Sequence, residues 1–316
     1  MSFEIIVPGR FMDIDTPSTP PCGVEGWFTL RAIRRGRVVR ERTFKNLITD
    51  LGLDKLSGNA SNCFQYFQAG IGTATPSVLD TTLANYIAGF GNTTSAYTSG
   101  ASGTPGSAGY YLWTRVTGTS SIGAFGNNNL TEVGVGSQLA TGNLYSRALI
   151  LDGMGAPTTF PIASDEQLQI TYEARLYPPS TDTLATVTVG ASSFDTVTRP
   201  YRVNSQWGFD GHSVTYSFFG TANYSNAHNI STQAIGSQTA TLSGLSSSTN
   251  YSNTSYTNGN HYRDGGGVFG TSVVGTFKTF VYQTGATWWQ VGYTPDIVKT
   301  NIQELRLNQR VSWARR

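Results

Sequence analysis

Charge is scarce in this 316-residue chain. Asp, Glu, Lys and Arg together make up 13%, about half the share of an ordinary soluble domain. That excludes a solvated, charge-driven disordered chain, the more so because 6 Trp, 16 Tyr and 16 Phe supply ample burial potential. Coiled coils and helical bundles are built from Ala, Glu, Lys, Leu and Arg, whereas 36 residues here are Gly, well above the usual share. Cysteine is nearly absent. Cys22 and Cys63 are too few for a disulfide scaffold and are expected to be free thiols. The only histidines, His212, His228 and His261, form no i, i+4 pair of the kind that presents zinc from a helix. No run approaches the 18 apolar residues of a membrane span. Met1 to Pro8 lacks the basic start and apolar core of a secretory signal, so a product made in a cytoplasm is expected. The net charge of +2 gives no field that would draw the chain to nucleic acid.

Catalytic signatures are equally sparse. Gly265 to Gly270 matches G-x-G-x-x-G but leads into a β-like run instead of a helix, so no dinucleotide site is expected. Neither a P-loop nor a G-x-S-x-G elbow occurs, and Asp13 and Asp15 do not continue into a calcium loop. Asp165, Glu166 and Glu173 read as strand-edge charges and not as a glycosidase pair. The expectation is a protein with no enzymatic activity, no cofactor and no metal.

What is present suits pleated sheets and tight turns: Thr, Tyr, Phe and Val for strands, Gly, Asn and Ser for loops. The expected fold is all-β, sandwich-like or jelly-roll-like, with one or two short helices and long polar loops. Residues 1–24, with Pro8, Pro17, Pro20 and Pro21, read as an extended arm. Residues 25–178 read as a β-rich core domain, ended by Tyr177-Pro178-Pro179-Ser180. A second β-rich, loop-rich domain is assigned to 179–294, with strands near 185–189, 215–219, 239–242, 270–282 and 286–293. Residues 295–316 are expected to return to the core as a last strand, from the alternation in Gln303 to Leu307. Helices are expected over Asn46 to Leu56, capped by Asn46, and over Val78 to Ala88. Gly89 to Gly109 and Ser246 to Gly267 read as exposed loops.

The clearest local signal is a hairpin: Gly26 to Ile33 and Arg37 to Phe44 flank Arg34-Arg35-Gly36. It concentrates Arg31, Arg34, Arg35, Arg37, Arg40 and Arg42, with alternation placing Arg40 and Arg42 on the face of Val38 and Phe44. Two readings fit: a solvated edge that resists aggregation, and an interface for carboxylates of a neighbouring chain, which arginine would grip in bidentate fashion. Nucleic acid fits less well.

Several stretches resemble virion proteins of tailed bacteriophages, of the tail, collar or fibre-attachment kind. They are Phe44 to Thr49 with Gly52-Leu53-Asp54, Gly70 to Thr73 with Thr75-Pro76-Ser77 and Asp80-Thr81, Glu132 to Gly136, Ser146 to Ile150, Glu166 to Glu173, Pro295 to Thr300, and Ser312-Trp313. The resemblance covers mainly residues 25–178 and the C-terminal tail. It implies a non-enzymatic virion component that assembles as a symmetric homo-oligomer with other virion proteins, and it transfers no catalytic residue. A rival expectation is a host-surface adhesin of the same particle, binding glycan through Tyr251, Tyr256, Trp288 or Trp289.

Overall fold

A computed structural model describes residues 11–57, 64–92, 98–139, 142–189, 191–203, 228–248, 250–253, 255–284 and 287–316. The strands in the first part of the chain are β1 (Phe11–Asp15), β2 (Cys22–Arg34), β3 (Arg37–Lys45), β4 (Leu47–Ile48), β5 (Tyr66–Gly70), β6 (Tyr86–Gly91), β7 (Thr98–Ser102) and β8 (Tyr111–Thr119). β9 (Asn128–Leu130), β10 (Glu132–Gly136), β11 (Leu144–Leu149), β12 (Phe160–Ile162) and β13 (Gln167–Tyr177) follow. Then come β14 (Thr183–Val189), β15 (Ser192–Pro200), β16 (His228–Ser231), β17 (Leu245–Ser247), β18 (Asn250–Asn253), β19 (Tyr262–Phe269), β20 (Gly275–Thr284), β21 (Thr287–Lys299) and β22 (Glu304–Arg315). The one α-helix among the described residues is α1 (Asp50–Lys55). The fold is therefore all-β, and no helix among the described residues is long and apolar enough to cross a membrane.

A nine-stranded sheet runs in the order β18-β19-β22-β2-β13-β8-β7, with β1 also on β22 and β3 also on β2. The alternation is clearest in β2. In β2, Cys22, Val24, Phe28, Leu30 and Ala32 point inward, and Glu25, Trp27, Thr29 and Arg31 point outward, as a period of two requires. β22 keeps the same pattern, and β13 keeps it except at Glu173, which is buried between Tyr172 and Ala174. The inner face carries two adjoining cores. Phe28, Leu30, Val116, Ile170 and Tyr172 of this sheet pack with Phe67, Val133, Val135 and Tyr145 of a five-stranded sheet, β4-β11-β10-β5-β6. Met12, Ile14, Leu305, Leu307 and Val311 pack with Phe280, Tyr282, Trp289 and Val291 of a six-stranded sheet, β14-β15-β21-β20-β16-β17. This second core draws on all four segments distinguished in the sequence, from Met12 through Leu176 and Phe280 to Trp313.

Several expectations change. Within the segment read as an extended arm, residues 11–15 and 22–24 are strands of the sheet. β1 runs parallel to β22, the start of β2 does the same, and between them Thr16 N donates to Asn308 O and Thr19 N to Arg310 O. The helix is shorter than 46–56 and is capped by Thr49, whose hydroxyl accepts from Gly52 N, because Leu47 and Ile48 are held as strand β4 by Arg147 and Ser146. No helix covers 78–88; Tyr86 to Gly91 pairs with β5. The supposed loop 89–109 contains the end of β6 and all of β7. Residues 239–242 form no strand, and β20 begins only at Gly275. Ser246 to Gly267 supplies β18 and most of β19. Its glycines serve packing: a Cβ on Gly267 would lie 2.6 Å from the Cβ of His228. Residues 215–219, Cys63 and His212 lie outside the described residues. Cys22 is free and buried.

Candidate functional site

The hairpin forms as its turn chemistry requires, with φ of 50° at Arg35 and 75° at Gly36. A bulge between Ala32 and Ile33 sets Val38 opposite Ile33, whereas Arg40 and Arg42 lie opposite Ala32 and Leu30. Val38 therefore leaves the face that simple alternation gives it. The arginines divide into two groups. Arg31 pairs with Glu41, Arg34 with Asp165 and Glu166, and Arg40 with Glu166. Glu166 is fully buried, so it is the internal counter-ion of the hairpin and not a strand-edge charge. Arg42 lies near Asp152, whose carboxyl is held below its usual value first by the amides of Ala156 and Met154 and further by that charge. Arg35 and Arg37 remain exposed at the tip, beside Val38 and Val39 at 52% and 44% exposure.

The larger feature is the outer face of the nine-stranded sheet. Cross-strand register places Lys45, Trp27, Glu173 and Arg115 in one row, and Glu25, Arg175 and Trp113 in the next. Arginines lie over aromatic rings along its length: Arg115 over Trp113 at 4.1 Å, and Arg175 over Trp27 at 4.5 Å and Tyr111 at 4.7 Å. Further along are Arg316 over Tyr177 at 4.0 Å, Arg310 over Tyr262 at 3.7 Å and Arg306 over Phe11 at 4.4 Å. Carboxylates fix these cations. Glu173 takes Arg115 and Arg175, and Asp264 takes Arg310. Partial burial opposes the charge on Arg175, but its bonds to Glu173 and Tyr177 outweigh that and raise its pKa. Glu25 is likewise pushed up by burial and brought below its usual range by hydrogen bonds from Lys45, Tyr177 and Trp27. A neighbouring row is uncharged, with Thr43 bonded to Thr29 and Thr117 to Thr171. Such a face offers rigid, amphipathic contact area whose charges are already neutralised within the chain.

The residues proposed for glycan contact are differently placed. Trp289 is fully buried in the core, and Trp288 packs against Tyr201. Tyr256 stacks on Trp313 and donates to Asp54 Oδ1 at 2.6 Å, tying the 255–263 segment to α1. Trp289 is thus closed to a ligand, whereas Trp288 and Tyr256 are half-buried. The backbone of Tyr251 lies in β18, opposite Gly267. Trp27, Tyr111, Trp113 and Tyr177 were not singled out from the sequence. Their signal is an aromatic at the polar positions of an otherwise alternating strand.

Segments 70–85, 132–136 and 146–150 also meet in space. Glu132, fully buried, accepts hydrogen bonds from Gly72 N, Ala84 N, Asn85 N and Arg147, and Arg147 also pairs with Asp80. Comparison with known proteins adds no relative: no family model, curated protein or solved structure matches the chain.

Proposed function

We propose that this chain is a non-enzymatic structural subunit of a tailed-phage virion, working by burial of its surface against sister copies and neighbouring virion proteins. The observation that carries the reading is the Trp27–Tyr111–Trp113–Tyr177 end of the outer sheet face, where arginines lie over exposed-side aromatics. Trp, Tyr and Arg are the residues enriched in interface hot spots, and here they stand side by side on β2, β13 and β8. The tip residues Arg35, Arg37, Val38 and Val39 extend that surface.

The test is the double variant Trp27→Ala/Trp113→Ala. It is expected to fold with an unchanged sheet signature but to be excluded from particles, or to stay monomeric where the parent oligomerises. Incorporation at parental levels would overturn the assignment of this face.

A further inference from the structure

The nine-stranded sheet carries opposite charge at its two ends. Cys22 of β2 stands opposite Trp313 of β22 in a parallel pair. From that pair β2 runs forward to the hairpin turn, and β22 runs back to Glu304. At roughly 3.3 Å per residue, the hairpin tip lies about 40 Å away in one direction and the start of β22 about 30 Å away in the other. The tip is basic and apolar. Arg31, Arg34 and Arg40 are held by carboxylates of the same chain. Arg35 and Arg37 are exposed and make no ion pair among the described residues, so the tip keeps two uncompensated positive charges beside exposed Val38 and Val39.

The opposite end is acidic and apolar. Asp13 and Asp15 alternate with buried Met12 and Ile14 on β1, which puts both carboxylates on the outer face. Glu304 stands next to them, opposite Phe11. Asp13 and Glu304 share Arg306, at 4.0 and 3.9 Å, and Asp15 accepts from the neutral Asn308. Three carboxylates against one guanidinium leave two uncompensated negative charges. By contrast, exposed Glu41 and Asp182 each have an arginine of their own. Apolar side chains are exposed here too: Phe11, Val274 and Ile302, at 49%, 57% and 73%. Lys299, whose ammonium donates to Val273 O and Thr300 O, brings the turns of Val274 and Ile302 together. Beside Asp15 the face is recessed by a trough of about 430 Å³, so a projecting turn meets a hollow.

We propose that the hairpin tip of one copy docks head to tail on the β1 end of the next, with Arg35 and Arg37 pairing with Asp13, Asp15 and Glu304, and Val38 and Val39 covering Phe11 and Ile302. The occupant is a second copy because the two ends match in sign, in the number of uncompensated charges and in exposed apolar side chains. The contact joins unlike surfaces, so copies add in one sense and close into a ring where the rotation permits. The inference rests on the assembly reading and assigns one sister contact within it.

Sedimentation velocity on the full chain tests it with two variants, Arg35→Glu/Arg37→Glu and Asp13→Lys/Asp15→Lys. Each alone sets like charge against like charge and should associate at least about tenfold more weakly than the parent. Mixed in equal amounts, the two restore opposite charges at the contact and should recover the parental association. Asp13→Asn/Asp15→Asn, which keeps side-chain size, should weaken association severalfold, and raised salt should weaken that of the parent. Undiminished association of either reversed variant, or no recovery on mixing although both melt as the parent does, would overturn the docking. So would a parent that stays monomeric at every concentration. The virion reading fails separately, when the parent chain is missing from purified particles.

Discussion

Replacing Glu132 by Gln tests how the body of the fold is held. The carboxylate is fully buried and accepts from three amides of the 71–85 segment, Gly72 N at 3.0 Å, Ala84 N at 3.0 Å and Asn85 N at 2.7 Å, as well as from Arg147 Nε at 3.0 Å. Arg147 is itself buried, and its other bonds run to Asp80 and to Ala74 O. The substitution turns one acceptor oxygen into a donor facing these amides and removes a charge from beside a buried guanidinium. Breaking a buried ion pair from one side costs about 3–5 kcal/mol, against a total stability on the order of 5–15 kcal/mol. In urea the slope for a chain this size is at or above roughly 3 kcal/mol per molar, so the unfolding midpoint should fall by about 1 M. Adding Arg147→Met should recover part of the loss, because the stranded charge is then gone. A midpoint for Glu132→Gln within about 0.2 M of the parent would refute the reasoning.

Two further outcomes follow from the division of the arginines and from burial. Arg40→Glu sets a second carboxylate against buried Glu166 and should destabilise by several kcal/mol, on the order of a broken buried pair, whereas Arg35→Glu/Arg37→Glu at the exposed tip should change stability by less than about 0.5 kcal/mol; equal thermal shifts in the two variants would contradict the internal role of Arg40. Cys22 is fully enclosed and burial pushes its thiol far above the usual range, so in a Cys63→Ser background it should resist a maleimide at pH 8 until denaturant is added, and rapid labelling of the native protein would show that the core around Cys22 is open.

The β class was legible because composition and alternation act locally. The Arg34-Arg35-Gly36 turn and the returning strand signalled by Gln303 to Leu307 follow from residues close in sequence. What failed was decided at a distance. Leu47 and Ile48 have helical spacing with Leu51, but their pairing with β11 makes them strand. Gly265 to Gly267 has loop composition, yet the absence of side chains lets His228 and Asn308 pack against β19. The arginine cluster was visible and its counter-ion was not, since Glu166 lies 126 residues from Arg40. Trp27 and Trp113 were visible as residues, but only the register of β2, β13 and β8 brings them to one face.

If the chain assembles as proposed, its outer sheet face is covered by other molecules in the particle. Hydroxyl-radical footprinting of the isolated subunit and of assembled particles tests it directly at Trp27, Tyr111, Trp113 and Tyr177. These side chains should be oxidised in the free subunit and strongly protected in the particle. Equal oxidation in both states would contradict the account.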